Sequence, residues 1–224
     1  MSRLPLAAKL RCFWATLLFV AFGVSTCART SANSAVRCGR NWPAALLLLL
    51  MTSGCTPVQS LQPIYTSRDA LKDEGIEGAW EEVNAKEQTL WVFQPDGDAG
   101  YRLSVIAGSE RALSFSVHMV RINGNLFLDL SPVISDAADP FAIATHMPGR
   151  IQIERDELKI RMLAADWVTD RVKASQLGVS YGITSEKDSR VILTAATPQL
   201  QEFLAANALN DEAFAPELRL RRWK

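Results

Sequence analysis

The chain has 224 residues, 48% of them hydrophobic, and its 24 basic and 24 acidic side chains cancel to zero net charge. The cancellation hides an asymmetry: residues 1–68 hold seven Lys or Arg and no acidic side chain, whereas residues 69–224 hold 17 basic and 24 acidic ones, a net charge of −7. An acidic downstream region whose one basic cluster, Arg219–Lys224, is short excludes nucleic-acid binding, and the abrupt change of charge is expected of a targeting segment joined to a soluble domain.

In chain order, the first informative stretch is residues 37–55. Arg37 and Arg40 form a basic start, Ala44–Met51 an apolar run, and Thr52, Ser53 and Gly54 a region of small residues ahead of Cys55, the three parts of an export signal. The run is shorter than the roughly 20 residues that cross a bilayer. Ser53-Gly54-Cys55 resembles the lipobox of bacterial lipoproteins, with Thr52 standing where leucine is usual. The resemblance implies that the Cys55 thiol receives diacylglycerol and becomes the new N-terminus. Two or more acyl chains would hold the protein stably on a membrane. Thr56, in place of an aspartate after the anchor, implies the outer membrane, facing the periplasm.

An earlier apolar segment, Cys12–Ala28, ends near Cys27, but Thr26 is too large for a lipobox. Its presence has two readings: translation begins near Val36, leaving 1–35 as an untranslated extension, or the segment is a short membrane-spanning helix. All four cysteines, Cys12, Cys27, Cys38 and Cys55, lie at or before the cleavage point. The exported domain is therefore expected to have no disulfide and to rely on its core, for which about 155 residues suffice.

The expected organisation is a signal region over 1–54, an anchor and flexible tether over 55–75, and one β-rich domain over 76–224. Within the tether, Thr56–Ser67, with Pro57 and Pro63, reads as an extended leash reaching roughly 40 Å. Beyond Ile76, alternating segments separated by turn residues predict hairpins. Gln88–Phe93 meets Gly100–Ala107 across Pro95-Asp96-Gly97-Asp98. Ala112–Arg121 meets Leu126–Leu130 across Asn123-Gly124-Asn125, the strongest short hairpin signal. Tyr101, Leu103 and Val105 alternate, as do Leu113, Phe115, Val117 and Met119, so one face of each strand should be buried. Further strands are predicted at Phe141–Thr145, Arg150–Glu154, Leu158–Leu163, Val179–Thr184, Arg190–Thr194 and Glu217–Arg222. Helices are predicted at Asp166–Gln176 and Gln199–Ala208, the second opened by a Thr197 cap and Pro198.

The predicted fold class is mainly β: an antiparallel, barrel-like domain with one or two short helices, the last before a C-terminal strand, since closure removes exposed edges. Gly78-Ala79-Trp80 on the first strand resembles the Gly-x-Trp signature of lipocalins and related calycins, over a domain of about 150 residues. The second lipocalin motif, Thr-Asp-x-x-Tyr, is absent. The resemblance implies that Trp80 plugs one barrel end beneath a late basic residue, Arg219 or Arg221, in a cation–π contact. It further implies a small apolar ligand, such as a fatty acid or lysolipid, inside a closed barrel.

Catalytic chemistry finds little support. Gly178-Val179-Ser180-Tyr181-Gly182 matches the G-x-S-x-G elbow of esterases, but both histidines, His118 and His146, precede Ser180, and a charged turn follows it. The two histidines supply too few ligands for a transition metal, and His118 falls on the Ser114/Ser116 face of its strand, where a solvated or hydrogen-bonded role is expected. Asp96 and Asp98 lack the rest of a calcium loop. Glu81 and Glu82 should point to opposite faces of their strand. No cofactor and no metal are expected. The expected function is a non-enzymatic, membrane-anchored envelope lipoprotein that binds a small apolar ligand or, alternatively, an envelope protein as a scaffold; a serine esterase built on Ser180 is the remote third reading.

Overall fold

A computed structural model describes residues 57–108, 112–133, 143–184 and 190–224. Cys55 and the signal residues Thr52, Ser53 and Gly54 lie outside the described residues, as does the start of the strand predicted at 141–145. Pro57–Lys224 forms one compact unit.

Its strands are β1 (Gln59–Ser60), β2 (Ala70–Leu71), β3 (Gly78–Glu82), β4 (Thr89–Asp96), β5 (Gly100–Ala107), β6 (Leu113–Ile122), β7 (Asn125–Pro132), β8 (Met147–Ile153), β9 (Glu157–Met162), β10 (Tyr181–Ile183), β11 (Val191–Leu193) and β12 (Leu218–Arg222). Two α-helices, α1 (Ala165–Lys173) and α2 (Thr197–Asn207), fall between β9 and β12. Strands β3 to β9 pair antiparallel with their chain neighbours, and β12 pairs with both β9 and β3. The result is a closed, eight-stranded antiparallel barrel. Closure leaves none of its strands with an open edge for another chain to template on.

Local chemistry accounts for these turns. Asn123 and Gly124 both take positive φ, 46° and 79°, as a two-residue type I′ hairpin turn requires, and Ile122 pairs with Asn125 directly across it. Alternation sets what faces inward. Tyr101 opposes Val117 and Leu103 opposes Phe115, and all four are buried in the barrel.

The wall formed by β6 and β7 is buried on its outer side as well. Val120, Ile122 and Phe127 pack against Ile64, Leu163, Val168, Leu193, Leu200, Phe203 and Phe214, so the helices and a small sheet build a second core outside the barrel. That sheet has the order β1-β11-β10, with β1 parallel to β11. Here the tether expectation fails. Val58, Ser60 and Ile64 are 3%, 0% and 0% exposed, so residues 57–75 belong to the domain and do not form a leash. Residues 143–145, predicted as part of a strand, are irregular chain leading into β8.

Thr197 does not cap α2. Ala196 holds the cap position, its N–H donating to Gln199 Oε1 (3.2 Å), while the Thr197 hydroxyl donates to the Pro63 carbonyl at 2.8 Å.

Candidate functional site

The barrel has two unlike ends. At one end, where β3 begins, a 3₁₀ turn (Glu74–Ile76) crosses beneath the barrel. Trp80 Nε1 donates to the Ile76 carbonyl at 2.8 Å, and the Tyr101 hydroxyl accepts from Asp73 N (2.7 Å) and donates to Asp73 O (3.1 Å). Arg222 completes the seal. Its guanidinium lies 4.2 Å from the centroid of the Trp80 ring and donates to the carbonyls of Gly75 (2.9 Å), Glu77 (3.0 Å) and Arg155 (3.3 Å). Trp80 is fully buried, as expected of a plug.

The cation over Trp80 is thus Arg222, and not Arg219 or Arg221. Parity decides this. On β12 the inward positions are Leu218, Leu220 and Arg222, and Arg222 registers with Trp80. Arg219 and Arg221 point outward to Glu217 (2.7 Å) and Glu81 (3.7 Å), where ion pairs contribute little.

Between the two ends, several inward side chains are closely packed. Tyr101, Leu103, Val117, Met119 and Leu220 have no accessible surface, so no void the size of a water molecule adjoins them. At the other end, Glu82 is a buried carboxylate on the inward face, with Trp91 Nε1 donating to its Oε2 at 3.4 Å. Thr89, opposite on β4, is buried too. Glu81 points the other way, as strand parity predicts.

Both histidines stand on the outer wall, around Asp129. Asp129 is buried on the outer face of β7, where Oδ2 accepts from Ile64 N at 2.9 Å and His146 donates Nδ1–H to Oδ1 at 2.7 Å. His118, cross-strand from Asp129, stacks on Tyr65 with ring centroids 4.0 Å apart. Gly100 leaves room for this stack, because a Cβ there would lie 3.0 Å from His118 Nε2 and 2.7 Å from Asp96 O. Burial lowers the His118 pKa below its ordinary value, partly offset by the Asp129 charge. Burial and Asp129 together raise that of Tyr65.

This cluster is a clasp. It fastens the segment that follows the proposed anchor to the barrel wall, helped by the backbone pairing of Ser60 with His146. Ser60 sits beside an Asp–His pair, but its hydroxyl donates to the Gln62 carbonyl at 2.7 Å. Sequence reasoning missed the clasp because its partners are far apart in the chain. The one local signal was His118 on the outward face of its strand.

Ser180 runs directly into β10, and its carbonyl accepts from Thr194 N at 2.9 Å, so the strand-to-helix turn of a nucleophile elbow is replaced by a sheet edge. Asp96 pairs with Arg102 (2.9 Å) on the surface. Among the described residues no group of three or more His, Cys, Asp or Glu could hold a metal ion, and no helix is long and apolar enough to cross a membrane. Comparisons with protein-family models, with curated proteins and with solved structures find no match to this chain.

Proposed function

We propose that the chain is an acyl-anchored lipoprotein of the bacterial cell envelope, held on the outer membrane through Cys55 and facing the periplasm. It catalyses no reaction and acts as a lipocalin-like scaffold whose outer surface engages the envelope. The observation that carries this reading is the position of the fold relative to the lipobox: the compact unit opens at Pro57, two residues beyond Cys55.

Several features support it. The closed antiparallel barrel and the burial of Trp80 at one end beneath a late basic residue, Arg222 in place of Arg219 or Arg221, agree with what the Gly-x-Trp resemblance implies. The close packing of Tyr101, Leu103, Val117, Met119 and Leu220 favours the scaffold over a carrier of apolar ligand, because a ligand at their level would have to displace them. The histidines are committed to Asp129 and Tyr65, which supports a non-catalytic role.

The ligand-binding alternative keeps one observation. Glu82 and Thr89 place polar groups in an otherwise apolar interior near the end opposite the plug, the pattern of a site that orients an amphiphile. Native mass spectrometry of a soluble form beginning at Pro57 separates the two. A single mass equal to the polypeptide supports the scaffold, and a co-purifying lipid supports the carrier. Cys55→Ser tests the shared premise: loss of palmitate label together with release from the membrane pellet is expected, and an unchanged pellet would contradict it.

A further inference from the structure

We infer that the three-stranded sheet β1-β11-β10 is the surface of this protein that rests on the lipid headgroups, with Ile183 at the point of contact; the inference builds on the acyl-anchor reading above. The argument starts from chain length. Val58 is 3% exposed and Ser60 is 0% exposed, so the docked chain begins almost at once after Cys55. Two residues span at most about 7 Å. An acylated Cys55 therefore cannot let the domain swing freely on a leash, and whatever surrounds Pro57 must lie next to the bilayer.

Strand direction identifies those surroundings. β1 runs parallel to β11 and β11 antiparallel to β10, with Gln59 beside Ile192 and Ile192 beside Gly182. The N-terminal end of β1 therefore coincides with the start of β11 and the end of β10. One row nearer the anchor, Val58 falls in line with Val191, which registers with Ile183. Ile183 is then two strand spacings from Val58, about 10 Å.

The chemistry of that end suits an interface. Ile183 is 56% exposed and Tyr181, two positions away on the same face, 39% exposed, so two large side chains stand uncovered next to each other at this edge. Tyrosine is a favoured residue at membrane interfaces, where its ring is apolar and its hydroxyl stays wet.

Depth is limited by the backbone. The β10–β11 bonds Thr194 N–Ser180 O and Thr184 N–Arg190 O turn the peptide groups of Tyr181 and Ile183 away from β11, toward the outer edge of the sheet. Such an edge belongs in the hydrated headgroup layer and not in hydrocarbon.

The test uses mature, full-length protein extracted from membranes and reconstituted in vesicles of phosphatidylethanolamine and phosphatidylglycerol. The intact mass first reports whether Cys55 carries diacylglycerol. All other cysteines precede the cleavage point, so Ile183→Cys and, as a control on the turn at the plugged end, Asp98→Cys each give one site for a nitroxide. Both positions are exposed, so the fold should tolerate the label.

The expected result is an oxygen-to-nickel-chelate collision ratio severalfold higher at 183 than at 98. Equal, water-like ratios in acylated protein would overturn the inference and leave the anchor reading standing. Shielding of 183 from both quenchers would also overturn it, indicating a second copy if spectra broaden by dipolar coupling and a protein partner otherwise. An unmodified Cys55 would overturn both readings.

Discussion

Arg222→Ala should destabilise the barrel strongly, although the side chain lies at its end and is only half-buried. The substitution removes a half-buried guanidinium that donates to Gly75 and Glu77 at 2.9 and 3.0 Å and covers the Trp80 ring at 4.2 Å. A hydrogen bond from a charged donor contributes about 1.5 kcal/mol at the low end of its range, so the two shorter bonds together contribute about 3. The cation–π contact adds about 1 kcal/mol for a partly desolvated pair. The loss is therefore about 4 kcal/mol, a large share of the 5–15 kcal/mol typical of a domain.

Arg222→Lys keeps a charge over the ring but cannot bridge several carbonyls with one ammonium, so about half of the loss is expected. Urea unfolding of a soluble form beginning at Pro57, followed by tryptophan fluorescence, measures all of these. Arg219→Ala and Arg221→Ala, which break exposed ion pairs, should leave the midpoint unchanged. If Arg222→Ala moved the midpoint no further than Arg221→Ala does, the seal at the plugged end would not be what holds the barrel closed.

Three further outcomes follow from the clasp. Asp129→Ala strands the buried Ile64 N–H, costing about 2–3 kcal/mol, and should speed amide exchange at the segment around residue 64 while β4 and β5 remain protected. Ile64→Ala should cost about 2–4 kcal/mol in the same urea assay, whereas a mobile tether would tolerate it silently. For pH, the folded His118 has a pKa below its ordinary value, so the unfolded chain binds the proton more readily. The stability it contributes is complete above about 6.5 and is lost as pH falls below that. Tm should drop on acidification through this window. Asp129, His146 and Asp96 also bear on the ring, but His118→Phe, which keeps the stack on Tyr65 and removes the titration, should flatten the slope.

How much of this was legible depended on whether the signal was local. Strand β5 matches its predicted bounds, because Tyr101, Leu103 and Val105 alternate without interruption between a glycine-bearing turn and Gly108. The I′ turn was equally plain, since Asn-Gly has few other uses between two strands. Strands β1 and β2 have two residues each, too short for any period, and Pro57 and Pro63 imitate a linker. The segment between them is held by partners 65 to 137 residues away, Asp129 and Gln201 on Ile64 and Thr197 on Pro63.

The identity of the plug cation was within reach. Leu218 and Leu220 mark the inward face of the last strand, and one more step of two arrives at Arg222, while Arg219 and Arg221 fall between the leucines. The His118–Tyr65 stack had no such cue, because register across β6 and β7 and the docking of residues 57–65 must both be known before the two rings can be brought together.

The most direct test is the intact mass of the mature protein purified from membranes. The account predicts an N-terminus at Cys55 bearing diacylglycerol, with the folded unit starting two residues later. A water-soluble polypeptide that begins elsewhere, with no lipid on Cys55, would contradict it.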